Sequence, residues 1–322
     1  MASFEHEGST LVYEVQGSGP AVLALAPGGM RSATALWDNA PFNPLSVLSD
    51  CFTVISMDQR NAGASRGPVR EDDGWGSFLE DQLALLDHLG IERCAALGMC
   101  IGGPYVMNLL RAQPERFYAG VLLQPIGLDN NLDAFLGMVD SWAEALLPER
   151  PDLSPETLAG LRDRMFSTDF LFAVAEEDVR RCPVPLQIML GNDLFHPEST
   201  SRRIAELAPR AELVEAWKGE GEREAAVTAL RTFLLEHAEE GLGPSWITKR
   251  NGPFGMALGA RPGCAPRPSS IICWRPCWKR CWLGRRLGPG GACWTLAVAV
   301  VPVAWRRRKA GQTWWASTSL PR

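Results

Sequence analysis

The residues best suited to chemistry lie in Gly98-Met99-Cys100-Ile101-Gly102-Gly103, where an apolar run, Cys94 to Met99, gives way to a helical pattern, Pro104 to Ala112. This is the G-x-nucleophile-x-G pattern of a nucleophile elbow. The central residue is held in a tight turn, and neighbours without a Cβ let strand and helix approach closely. A side chain there projects from the carboxyl edge of a sheet toward a helix amino terminus. The positive helix end favours thiolate over thiol and lowers a cysteine pKa from its free value of about 8.5. The backbone N–H of Ile101 then points at a developing oxyanion. The competing reading is a cysteine that merely packs in a glycine-rich turn. Cys51, Cys94 and Cys182 have no such setting and are expected to be small buried hydrophobes.

A cysteine so placed must be held by a sheet and its helices. Short apolar runs alternate with helical patterns, which predicts a mainly parallel sheet covered by helices, an α/β fold. Strands are expected at Thr10 to Val15 (antiparallel), Ala21 to Ala26, Phe52 to Met57, Cys94 to Met99, Gly120 to Leu123, Val184 to Leu190 and Glu212 to Ala216. Helices are expected at Phe78 to Leu89, closed by Gly90, then Pro104 to Ala112, about Glu198 to Leu207 and about Arg223 to His237. From Asp129 to Arg181 the rhythm breaks into a purely helical pattern, expected to form a cap over one edge of the sheet that shapes a substrate pocket and controls water access. Trp75, Trp142 and Phe135 read equally as pocket lining or core, and Arg60 as a brace for its own loop.

The chain has 322 residues and a net charge of −5, an average of two unlike parts. Residues 241–322 carry 14 Lys and Arg and no acid, which leaves 18 basic against 37 acidic residues before Gly241, a balance of −19. An acidic body argues against nucleic acid and anionic membrane as partners, because phosphate neutralisation needs clustered Lys and Arg. No apolar run approaches the roughly 20 residues of a membrane span. The first residues, MASFEHEGST, carry acids where a secretory leader needs a basic segment. The expected setting is cytoplasmic, with a small-molecule substrate, no cofactor and no metal. The oligomeric state is left open.

Four segments give the body, about residues 10 to 240, a likeness to a known group. They are Ala26-Pro27-Gly28-Gly29-Met30 after an early strand; Asp58-Gln59-Arg60-Asn61-Ala62-Gly63-Ala64-Ser65; the elbow itself; and Gly191-Asn192-Asp193-Leu194-Phe195-His196-Pro197. Together they resemble the α/β-hydrolase fold superfamily, whose corresponding parts are an oxyanion loop, a D-x-R-G-x-G-x-S loop, the nucleophile elbow and the loop that bears the catalytic acid. The resemblance implies that Cys100 is the nucleophile, where most members use Ser and dienelactone-hydrolase-type members use Cys. It implies an oxyanion hole from the N–H groups of Ile101 and of Gly29 or Met30, and Asp193 as the acid that orients the base. Asn61 replaces a glycine of the second motif, which its tolerance of left-handed backbone allows.

The base departs from the family pattern. In the family it is a His in the loop after the last strand, here Trp217 to Glu222, which contains none. Of the four histidines, His6 is expected to be exposed, His88 to sit at a helix C-terminus for structural reasons, and His237 to lie on a solvated helix face. His196 stands three residues after Asp193, at the sheet edge where Cys100 should project, and is the candidate for the site. Three mechanisms remain open. Cys100 attacks an ester, thioester or lactone carbonyl with His196 as general base supported by Asp193. Alternatively, Cys100 is already thiolate through the helix end, and slow water attack favours transfer or cyclisation. In the third, acyl chemistry is lost and the site binds a ligand.

The tail, 241–322, is rich in Trp, Cys, Pro and Gly, and Arg outnumbers Lys. Cys273, Cys277 and Cys281 recur every four residues but match no zinc spacing. Its composition is that expected of an out-of-frame or read-through extension, poorly ordered and sticky.

Overall fold

The computed structural model describes residues 1–166 and 170–242; the tail reading and residues 167–169 lie outside the described residues. An eight-stranded sheet runs in the order β1-β2-β4-β3-β5-β6-β7-β8. The strands are β1 (Ala2–His6), β2 (Ser9–Gly17), β3 (Ala21–Leu25), β4 (Thr53–Met57), β5 (Cys94–Cys100), β6 (Phe117–Pro125), β7 (Leu186–Met189) and β8 (Ala211–Val214). β1 pairs antiparallel with β2 and β2 with β4; every later pairing is parallel. The central strands are continuous apolar runs because both faces are covered. Leu23 and Leu25 enter one core while Val22 and Ala24 enter the other.

Two layers of helices do the covering. α1 (Pro44–Leu48) and α8 (Arg223–Leu242) bury Leu45, Leu48, Leu230 and Phe233 on one face. α2 (Trp75–His88), α3 (Gly102–Ala112) and α7 (Glu198–Leu207) bury Phe78, Leu85, Val106, Leu109 and Ile204 on the other. Between β6 and β7 lie three more helices, α4 (Leu132–Leu146), α5 (Pro155–Met165) and α6 (Glu176–Arg180). Their buried Phe135, Trp142, Leu158 and Leu161 join the core of the α2–α3 side. Trp75 is buried there too, its indole N–H donating to the Met165 carbonyl at 2.7 Å.

The hydrophobic pattern places the central strands and α7 well. β1 is not anticipated, because five residues of mixed polarity carry no strand period until β2 offers an edge. α2 begins three residues before its expected start: Trp75 is buried and helical although flanked by Gly74 and Gly76. β1 also corrects the reading of His6. The ring is not free in solvent: Nδ1 lies 2.9 Å from Oδ1 of the fully buried Asp81. His237 is likewise half-buried, edge-on to Phe233 with centroids 4.6 Å apart and 3.1 Å from Glu240. His88 is exposed and stacks on Phe4. Cys94 and Cys182 are buried as expected, but Cys51 is only half-buried, its sulfur 3.3 Å from Nη2 of Arg231.

The loop after β4 is a closed hydrogen-bonded unit. Asp58 accepts from the N–H of Thr34 and of Ala64, each at 2.8 Å, and its carbonyl accepts from the Ser65 hydroxyl. Asn61 adopts φ +60° there, as its tolerance of this region permits. Arg60 meets Asp81 through two parallel bonds, Nε to Oδ2 at 3.0 Å and Nη2 to Oδ1 at 2.9 Å, with both side chains buried. It thereby ties the loop to α2. Arg60 also lies 3.5 Å from the buried Asp73, which would still compensate its charge in part, so Asp81→Ala is expected to lower stability by about 1–3 kcal/mol in urea unfolding.

Candidate active site

The elbow forms where β5 runs into α3. Cys100 sits at φ +61°, a region that costs a residue with a Cβ of order 1–3 kcal/mol unless its surroundings enforce it. Glycines enforce it by contact. A Cβ on Gly98 would lie 2.1 Å from the Gly102 carbonyl oxygen, and one on Gly102 would lie 2.4 Å from that of Leu25. On the other flank, the Ile126 N–H donates to the Cys100 carbonyl at 3.2 Å, fixing the strained residue to the end of β6.

The loop after β7 folds back on itself. Asp193 and His196 exchange backbone hydrogen bonds, each N–H to the other's carbonyl at 3.2 Å. The Asp193 carboxylate also accepts from the N–H of Phe195 at 3.0 Å and of His196 at 3.1 Å. This turn brings the His196 ring against its own loop's acid, with Nδ1 2.7 Å from Oδ1 and 2.9 Å from Oδ2. The other ring nitrogen, Nε2, is buried and has no hydrogen-bond partner, and the ring lies near enough to Cys100 for the two to shift each other's proton affinity. Gly191 admits the turn, since a Cβ there would lie 2.4 Å from the His196 carbonyl oxygen. The Gly191 N–H donates to the hydroxyl of Ser201 in α7, which anchors the base of the loop.

Charge follows geometry. Burial pushes the Cys100 thiol up, but the neighbouring His196 and the N–H groups of Gly28 and Ile101 outweigh it, and the net shift is downward. Burial alone would lower His196; its neighbours Asp193 and Cys100 raise it instead to about 9. Burial would raise Asp193, and the contacts of His196 and Phe195 hold it below its usual value. The three shifts act together, favouring thiolate at Cys100, imidazolium at His196 and carboxylate at Asp193. Cys94, by contrast, is pushed up to about 12 by burial, and Cys182 is pushed up for the same reason.

The model of the alpha/beta hydrolase fold family matches residues 33–184. That span is just under half of the chain, and the chain has the α/β-hydrolase fold. Among its relatives is the uncharacterized carboxylesterase nap of Bacillus subtilis (strain 168), 26% identical over 213 residues that span 59% of this chain and 69% of that one. Two solved structures share the fold. The meta-cleavage product hydrolase CumD of Pseudomonas fluorescens IP01 superposes with a TM-score of 0.55 at 21% identity, over 73% of this chain and 98% of that one. The enol-lactonase of Burkholderia xenovorans LB400 gives 0.53 at 20% identity, over 73% and 99%.

In this fold the loop after β3 supplies the second wall of the site. Gly28 and Gly29 take φ +117° and +58°, which lets the chain turn toward Cys100. Gly29 and Met30 begin the turn 29–31 and are buried. The Gly28 amide contributes to the downward shift of the Cys100 thiol. The α4–α6 stretch packs directly on this wall. Met138 fills the space a Gly29 Cβ would occupy, 2.5 Å from its sulfur, and Nη2 of Arg31 donates to the Ser141 carbonyl at 3.2 Å. Phe135 of α4 meets Phe195 of the Asp193–His196 turn edge-on, centroids 5.3 Å apart.

The family's usual base loop, 217–222, is turned to other use. Trp217 is buried with its N–H on the Leu190 carbonyl at 2.9 Å, and Lys218 Nζ donates to the Asn192 side chain at 2.6 Å. Among the described residues no group of three or more His, Cys, Asp or Glu could hold a metal ion, and no helix is long and apolar enough to cross a membrane.

Proposed function

We propose that this α/β hydrolase cleaves an ester, thioester or lactone through Cys100, with His196 as its acid and base and Asp193 orienting His196. The observation that carries the reading is the His196 ring: Nδ1 is held by Asp193, and Nε2 is buried with no hydrogen-bond partner of its own, beside the Cys100 elbow. In this reading the family's base has moved into the acid's own loop.

The thiolate of Cys100 attacks the substrate carbonyl carbon. The C=O electron pair moves onto oxygen, which the N–H of Ile101 and those of the loop at Gly28 to Met30 stabilise. Collapse expels the alcohol, thiol or enol, which leaves with the proton from His196 Nε2. Forming the thioester removes the negative sulfur that helped to raise His196. The imidazole is thereby freed to take a proton from water, which attacks the thioester and returns the thiolate. This favours hydrolysis over transfer. The carboxylesterase name of one relative and the enol-lactonase title of one structural neighbour support an ester or lactone substrate.

Incubation with a panel of p-nitrophenyl esters and enol lactones tests the reading: turnover should accompany a mass adduct on the Cys100 peptide. Absence of any adduct would overturn it, and an adduct cleared only by an added amine or alcohol would make the reaction a transfer. The pH profile has a defined sign. Activity should rise as Cys100 ionises, below the ordinary thiol range, and fall as His196 loses its proton at about 9. A profile that keeps rising through pH 10 would show that the protonated imidazole is not needed.

A further inference from the structure

Asn131 precedes α4, immediately before the helical stretch that packs on the site, and its side chain is 4% exposed. All of its polar atoms are spent on backbone. Oδ1 accepts from the Asp129 N–H at 2.9 Å, and Nδ2 donates to the Gly127 carbonyl at 3.1 Å and to the Leu194 carbonyl at 2.8 Å. The first two bonds close the turn that leaves β6. The third crosses to the middle of the turn between Asp193 and His196, 63 residues away in sequence. The loop is also held at its base by the Gly191 N–H on Ser201 and by Lys218 on Asn192, and Phe195 packs edge-on against Phe135, but the bond from Asn131 is the one made to the middle of the turn. Its Asp193 and Leu194 side chains are exposed, and its internal bonds fix its shape but not its place against Cys100.

We propose that Asn131 is a positioning residue, whose amide locks the Asp193–His196 turn to the entry of the helical stretch and so holds His196 against Cys100. The proposal rests on the Cys100–His196–Asp193 reading above. A shift of about 1 Å in the turn costs on the order of 10²-fold in rate when reacting groups must align. Asn131 thereby couples the stretch over the site to the acid–base pair. If substrate entry displaces the start of α4, it also releases His196.

The test uses the full chain with Asn131→Asp, which keeps the shape and the acceptor but sets a carboxylate against two carbonyls, and Asn131→Ala, which removes the amide. The readout is the rate of iodoacetamide labelling of Cys100 against pH, beside the thermal midpoint of each variant. The expected result is an inflection moved upward by about one pH unit and a kcat lower by about tenfold at nearly unchanged KM. If the Asp variant does not fold, the Ala variant carries the same comparison. Lowered thermal midpoints with an unmoved labelling profile and an unmoved kcat would overturn the proposal, because a purely structural residue gives that pattern. A wild-type profile with no lowered inflection would instead fail the Cys100–His196 reading itself, so the two failures are distinguishable.

Discussion

Cys100→Ala should reduce kcat for ester turnover by on the order of 10⁴-fold or more, and no acyl adduct should form on the chain. Loss of the sulfur removes the bond-forming atom, while the amides that face it remain. The residual rate then measures what binding and the oxyanion donors achieve alone. Cys100→Ser is more informative. A hydroxyl needs a proton-accepting neighbour at the moment of attack, whereas in the proposed site a thiol held below its usual range faces a histidine raised to about 9. Serine would meet a histidine tuned for an anion that the hydroxyl does not provide. An expected loss of about 10²–10³-fold follows, with acylation as the slowed step. Stopped-flow burst measurements resolve that step. Wild-type-like acylation in the Ser variant would show that the ion pair is incidental.

His196→Ala should cost about 10²–10⁴-fold, the range for a positioned general acid and base. Its effect should divide unevenly. The helix end and the Ile101 amide still favour thiolate, so acylation by an activated ester persists at reduced rate. In the proposed mechanism deacylation loses its general base, and acyl-enzyme should accumulate. Combined with Cys100→Ala, the loss should scarcely exceed that of Cys100→Ala alone, because the two residues act as one unit. Additive losses would mean that His196 acts elsewhere. Lys218, in the loop where the family carries its base, is held by Asn192, and burial lowers its affinity for a proton. Lys218→Met should therefore leave the pH profile within a few tenths of a unit.

Much of the scaffold is legible in the sequence because it rests on short-range rules. Continuous apolar runs such as Ala21 to Leu25 can satisfy both faces only inside a covered sheet, and α7 has an amphipathic period with clear ends. The elbow is legible because Gly98 and Gly102 are demanded by contacts under 2.5 Å to backbone oxygen, where a Cβ does not fit. What stayed hidden depends on distant partners. β1 has a place only because β2 presents an edge, and His6 is drawn inward by Asp81, 75 residues away. The candidacy of His196 follows from its spacing to Asp193. The direction of its ring does not, because that is set by the 193–196 turn and its anchors at Ser201 and Asn131. Asn131 itself carries no motif; only the crossing bond to Leu194 gives it a role.

The claim at the centre of this account is that Cys100 is a thiolate because His196 faces it. The rate of Cys100 carboxamidomethylation by iodoacetamide, followed by peptide mass from pH 4 to pH 10 in the wild type and in His196→Ala, tests it most directly. The predicted result is a wild-type inflection well below the ordinary thiol value near 9, moving upward by at least one unit in His196→Ala. A wild-type inflection at the ordinary value, or one that His196→Ala leaves unmoved, would contradict it.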